Sequence, residues 1–90
     1  MTVKDIIDSM RELPGNEVLV VVKPAGTKRE YYNSNTNLRY LMDKEVENAE
    51  VRSWFVCGMR RDKCTVVIIV DRNEEYEASL DQRWKELTAR

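Results

Sequence analysis

The sequence predicts a single α+β domain, residues 1–90, in which helices pack on a four-stranded, mainly antiparallel sheet in the order α-β-β-α-β-β-α. Three observations carry that expectation. Two runs rich in β-branched and aromatic residues, Val51–Cys57 and Cys64–Val70, flank a short polar turn, the mark of a β-hairpin. A third apolar run, Val18–Val22, follows a Pro14-Gly15 stop. Amphipathic helical patterns open and close the chain. Ninety residues suit one domain with a small core.

The first helix spans residues 2–13. Val3, Ile6, Ile7, Met10 and Leu13 repeat at the three-four spacing of a buried stripe. Thr2 and Asp5 are spaced as a capping box. The first strand, Asn16–Lys23, is apolar on both faces, which suits a central position. Pro24 to Thr27 breaks it into a turn. Lys28–Tyr32 reads as a second strand whose polarity fits an edge. The asparagine-rich stretch 33–37 is a polar loop. A short helix from Leu38 to about Val46 would place Leu38, Leu41, Met42 and Val46 on one stripe. The last helix runs from Glu74 to about Thr88, capped by Asn73, with a narrow seam of Tyr76, Leu80, Trp84 and Leu87. Acidic residues at its start and Arg83 and Lys85 toward its end complement the helix dipole.

Folding the hairpin about Arg60-Arg61 sets Cys57 opposite Cys64, Phe55 opposite Val66, Ser53 opposite Ile68 and Val51 opposite Val70. Those eight then share one face, the natural core side. Arg52, Trp54, Val56, Thr65, Val67 and Ile69 share the other. A one-residue slip would exchange the faces of one strand relative to the other. Val66–Val70 does not alternate, so this strand is expected to be covered on both sides, by the chain's own helices or by another molecule.

Charged residues make up 34% of the chain and the net charge is −1, with no global bias toward nucleic acid or anionic membrane. No apolar run is long enough for a membrane span, and charges from Lys4 onward disfavour a secretory leader. A cytoplasmic location is expected, with Cys57 and Cys64 reduced rather than bonded.

No enzyme is expected. Histidine is absent, which removes the commonest general base and metal ligand. Cys57 and Cys64 lie in apolar runs, where thiols are usually inert. Two cysteines cannot supply a structural zinc site, and the acidic group Asp43, Glu45, Glu47 and Glu50 lacks the spacing of a calcium loop; a solvated acidic edge is the plainer reading. Gly15, Gly26 and Gly58 stand alone, so no phosphate cradle exists. No catalytic residue, metal or cofactor is therefore assigned.

Two binding surfaces are left. Trp54, Val56, Val67 and Ile69, with Arg52 at the rim, have the composition of a protein-binding face; the partner would be another protein or a second copy of the chain. The alternative covering of Trp54 is one of the chain's own helices. A nucleic-acid contact through Arg60, Arg61 and Lys63 at the hairpin tip is the second possibility, opposed by the acidic stretches elsewhere.

The opening Thr2-Val3-Lys4-Asp5-Ile6-Ile7, then Met10, Leu13-Pro14 and Glu17-Val18-Leu19-Val20-Val21, resembles the start of many small uncharacterised proteins of phages and mobile elements. The shared pattern is a capped helix, a leucine-proline stop and an immediate apolar strand. It covers about the first quarter of the chain and carries no functional residue. The resemblance implies a context in which small proteins bind and block a host protein, as anti-CRISPR proteins do.

Overall fold

Two strands that are apolar on both faces take the middle of the sheet, and everything else is placed around them. The computed structural model describes residues 1–10, 17–35, 41–60 and 63–88. Among these, the elements are α1 (Val3–Ser9), β1 (Glu17–Pro24), β2 (Tyr32–Asn35), α2 (Lys44–Glu47), β3 (Val51–Arg60), β4 (Lys63–Val70) and α3 (Glu74–Thr88). The expected α-β-β-α-β-β-α order holds.

The sheet order is β2-β1-β4-β3. The outer pairs are antiparallel, but β1 and β4 run parallel, with Val20 opposite Val66 and Val22 opposite Ile68. The sheet is therefore mixed rather than mainly antiparallel. The reason lies in the hydrophobic pattern: the two double-sided apolar runs gain most by pairing with each other, which sends β2 and β3 to the edges.

One face of the sheet carries the core. Val18, Val20 and Val22 of β1 and Val66, Ile68 and Val70 of β4 pack with Val3, Ile6 and Ile7 of α1, Met42, Val46 of α2 and Tyr76 of α3. All three helices contribute their buried apolar residues to this one cluster. The opposite face presents Leu19, Val21, Val67 and Ile69. Among the described residues no helix packs there, so the chain's own helices cover one side of β4 only, although Val67 on the other side is just 8% exposed.

Local chemistry explains the element ends. Thr2 Oγ1 accepts from the Asp5 amide at 3.3 Å, and Asp5 Oδ2 accepts from the Thr2 amide at 2.9 Å, completing the capping box. The helix ends at Ser9, with Met10 as its C-cap, earlier than residue 13; residues 11–16 lie outside the described residues. Asn73 Oδ1 accepts from the Tyr76 amide at 3.0 Å and caps α3. The second strand lies later than expected, at Tyr32–Asn35, in the polar stretch read as loop. An edge strand needs only one paired side, so its polar side chains are tolerated there. The short helix is a single turn, Lys44–Glu47, and Leu41 is exposed rather than in its stripe; residues 36–40 lie outside the described residues.

Ile68 is fully buried at the centre of the sheet. Ile68→Ala should lower stability by about 2–5 kcal/mol, read as a lower urea midpoint at unchanged slope. Leu41→Ala should change it by less than about 0.5 kcal/mol.

Candidate interaction strand

Among the described strands, β3 pairs with β4 alone. Its first residue is also clasped from the outer side: the Val51 amide donates to the Met1 carbonyl at 2.9 Å, and Thr2 bridges Glu50. Beyond Val51, no strand pairs with the outer edge of β3 among the described residues. The β-branched and aromatic residues Trp54, Phe55 and Val56 favour extended backbone, yet they remain 52%, 51% and 43% exposed.

The register differs from the one expected. Val51 faces Val70, but Ser53 faces Ile69, Trp54 faces Ile68, Phe55 faces Val67, Val56 faces Val66 and Cys57 faces Thr65, with register shifts between Val51 and Ser53 and between Cys57 and Arg60. Each shift is a bulge that admits an extra residue on one strand. Gly58, at φ +63°, supplies a left-handed backbone position that other residues adopt at a cost.

The bulge beside Val51 exchanges the faces of β3. Trp54 and Val56 lie on the helix side with Val66 and Ile68, but at the rim, where no described helix reaches far enough to cover them. Val67 and Ile69 lie on the opposite face with Phe55. The five-residue face expected from the sequence, Arg52, Trp54, Val56, Val67 and Ile69, is thus divided between two sides of the sheet. Arg52 falls within the bulged stretch and pairs with Asp71 at 3.4 Å. Phe55, expected in the core, is the residue that sequence reasoning missed; the signal was Gly58, which permits a bulge. Cys57 does not face Cys64, and both thiols are free.

At the hairpin tip, Arg60 and Lys63 are cross-strand partners, while Arg61 lies outside the described residues. A second basic position, Arg29, is committed within the fold: its guanidinium holds Asp81 at 2.8 Å and approaches Glu77 at 3.9 Å. On α3, Tyr76 and Leu80 join the core, but Trp84 and Leu87 stand 68% and 67% exposed. The apolar seam of that helix is therefore used only in its first half.

A polar network joins α3 to the loop before β2. Glu77, 7% exposed, accepts from Tyr31 Oη and from Arg72 Nε, each at 2.9 Å. Tyr31 Oη also accepts from the Asn73 amide at 3.0 Å, and its ring meets that of Tyr76 edge to face with centroids 5.0 Å apart. Tyr76 Oη donates to Asp43 at 2.7 Å, and Arg83 reaches the same oxygen at 2.9 Å. Asp43 is thus a structural acceptor and not part of a solvated acidic edge. Burial pushes the Tyr76 hydroxyl upward, and its bond to Asp43 adds to that. Burial also pushes the Glu77 carboxyl up, but the Arg72 and Tyr31 hydrogen bonds outweigh it and hold the group below its ordinary value. An open cleft of about 660 Å³ beside the network is lined by Tyr31, Tyr76, Arg72, Glu45, Glu50 and Asp71 among others, and neither cysteine lines it. Among the described residues no group of three or more carboxylates and thiols is placed to hold a metal ion, and no helix is long and apolar enough to cross a membrane.

Comparison of the chain with protein-family models, with curated proteins and with solved structures finds no match.

Because the Glu77 carboxyl is lowered in the folded state, its stabilisation is present above the unfolded value, about pH 4.3, and is lost as pH falls through the folded value. The melting temperature should therefore fall on acidification below about pH 4.3. Glu77→Gln should make that fall shallower, with Asp5, Asp43 and Asp81, also lowered, supplying the remainder. Tyr31→Phe should cost about 1–3 kcal/mol at neutral pH, by leaving the Asn73 amide and Glu77 short of a partner; thermal unfolding across pH checks both.

Proposed function

We propose that this chain is a non-enzymatic protein-interaction module that binds through β3. The observation that carries the reading is the exposure of three consecutive apolar residues, Trp54, Phe55 and Val56, on a strand with an outer edge unpaired beyond Val51 among the described residues. Consecutive strand residues point to opposite faces. A partner lying on one face would cover Trp54 and Val56, or Phe55, but not all three. A strand added in the plane of the sheet brings side chains to both faces and satisfies the open backbone groups as well.

The other edge supports the same reading by contrast. β2 has only four residues, with polar side chains from Asn33 to Asn35, the usual protection of an exposed edge. β3 has no lysine or proline between Ser53 and Cys57. The resemblance of the opening residues to phage-borne proteins extends the proposal to an inhibitor that blocks a host protein. Nucleic-acid binding through Arg60, Arg61 and Lys63 has less support, since Arg29 at the other basic turn is already held by Asp81.

Trp54→Asp tests the reading. The variant should stay folded, with a melting temperature within about 8 °C of the parent, because Trp54 is half exposed. As bait against an extract of the native host, it should lose the proteins that the parent chain retains. A variant that unfolds, or that retains the same proteins, sinks the proposal.

A further inference from the structure

We propose that the strand added to β3 is the β3 of a second copy of this chain, antiparallel to the first about a twofold axis at Phe55. This rests on the reading of β3 as the binding strand and names its partner.

The register follows from symmetry. Facing residues of an antiparallel pair either both turn their backbone groups toward the partner or both turn them away, and neighbours along one strand alternate between the two, so a symmetric pair must centre on one residue that faces its own copy. The regular stretch of β3 is Ser53–Cys57, bounded on either side by a register shift. Its midpoint is Phe55. Centred there, Ser53 faces Cys57 of the second copy, Trp54 faces Val56, and Phe55 faces Phe55. Centring on Trp54 or Val56 instead runs one end of the stretch into a bulge, and centring on Val56 also sets Arg52 against Arg60.

The chemistry of the stretch agrees with that register. Ser53–Cys57 contains no charge, so pairing with itself sets no like charges face to face. The two Trp54–Val56 pairs fall on the helix side of the joined sheet and the Phe55 pair on the opposite side, where no described helix packs. Aromatic–β-branched and aromatic–aromatic pairs are among the favourable cross-strand combinations, and the small Ser53–Cys57 pairs close the ends without crowding. The joined sheet ends at two copies of β2, each only four residues long and polar from Asn33 to Asn35, so the assembly closes at the dimer.

A strand pair buries less than the roughly 800 Å² per partner of a standard interface. Sedimentation of the chain at on the order of 100 μM suits a contact of that strength, and a species of twice the 10.6 kDa monomer mass is expected. Phe55→Lys should abolish it while circular dichroism stays unchanged, since the introduced charge faces its own copy. Leu19→Lys, on the same face of β1 and away from the edge, should leave it intact. In a Cys64→Ser background, Ser53→Cys should oxidise to a disulfide-linked dimer through Cys57 of the second copy. The two positions are about 13 Å apart within one strand, beyond the roughly 7 Å limit for an internal bridge. A monomeric parent chain, a dimer that survives Phe55→Lys, a dimer lost with Leu19→Lys, or failure of the cross-link would each overturn the proposal. None of these would bear on whether Trp54→Asp loses other proteins, which judges the binding strand itself.

Discussion

The parallel pairing of β1 with β4 is the constraint on which the remaining structure depends. Each strand is apolar on both faces, and each finds in the other its best neighbour. Once they are joined, β2 and β3 can only be edges. The three helices are short or half-used, and they cover one face of the central pair. Val21 and Val67 on the opposite face each remain only 8% exposed, although no described helix packs there. The chain thus spends its helical cover where two strands need it most and leaves β3 with little.

Much of this was legible in the residues. The element order, the capping box at Thr2 and Asp5, the Asn73 cap and the length of α3 each rest on local chemistry that acts within a few residues. The direction of β1 against β4 does not. It is decided by which strands pair across the sheet, and that depends on burial over the whole chain. The position of β2 was missed for a related reason: one paired edge is enough to hold Tyr32–Asn35 extended, whatever their propensity.

The interaction strand was legible in composition and illegible in geometry. An aromatic and β-branched run with more apolar surface than this chain covers was evident, and Trp54 and Val56 are exposed. Which residues share a side was not evident, because a single bulged residue reverses the alternation for the rest of the strand. Phe55 moved from core to surface by that one step. The same step carried Val67 and Ile69 away from Trp54, although their side chains remain largely where a central strand would put them.

The clasp of Val51 by Met1 has a further consequence. Met1 and Thr2 run antiparallel to the start of β3, on its outer side, with the terminal ammonium 3.3 Å from Glu50. Any residues placed ahead of Met1 would be led along Arg52 and Ser53, directly into the groove beside the open backbone. An affinity tag fused at that end would act as a tethered competitor, whereas one fused after α3 would leave the strand untouched.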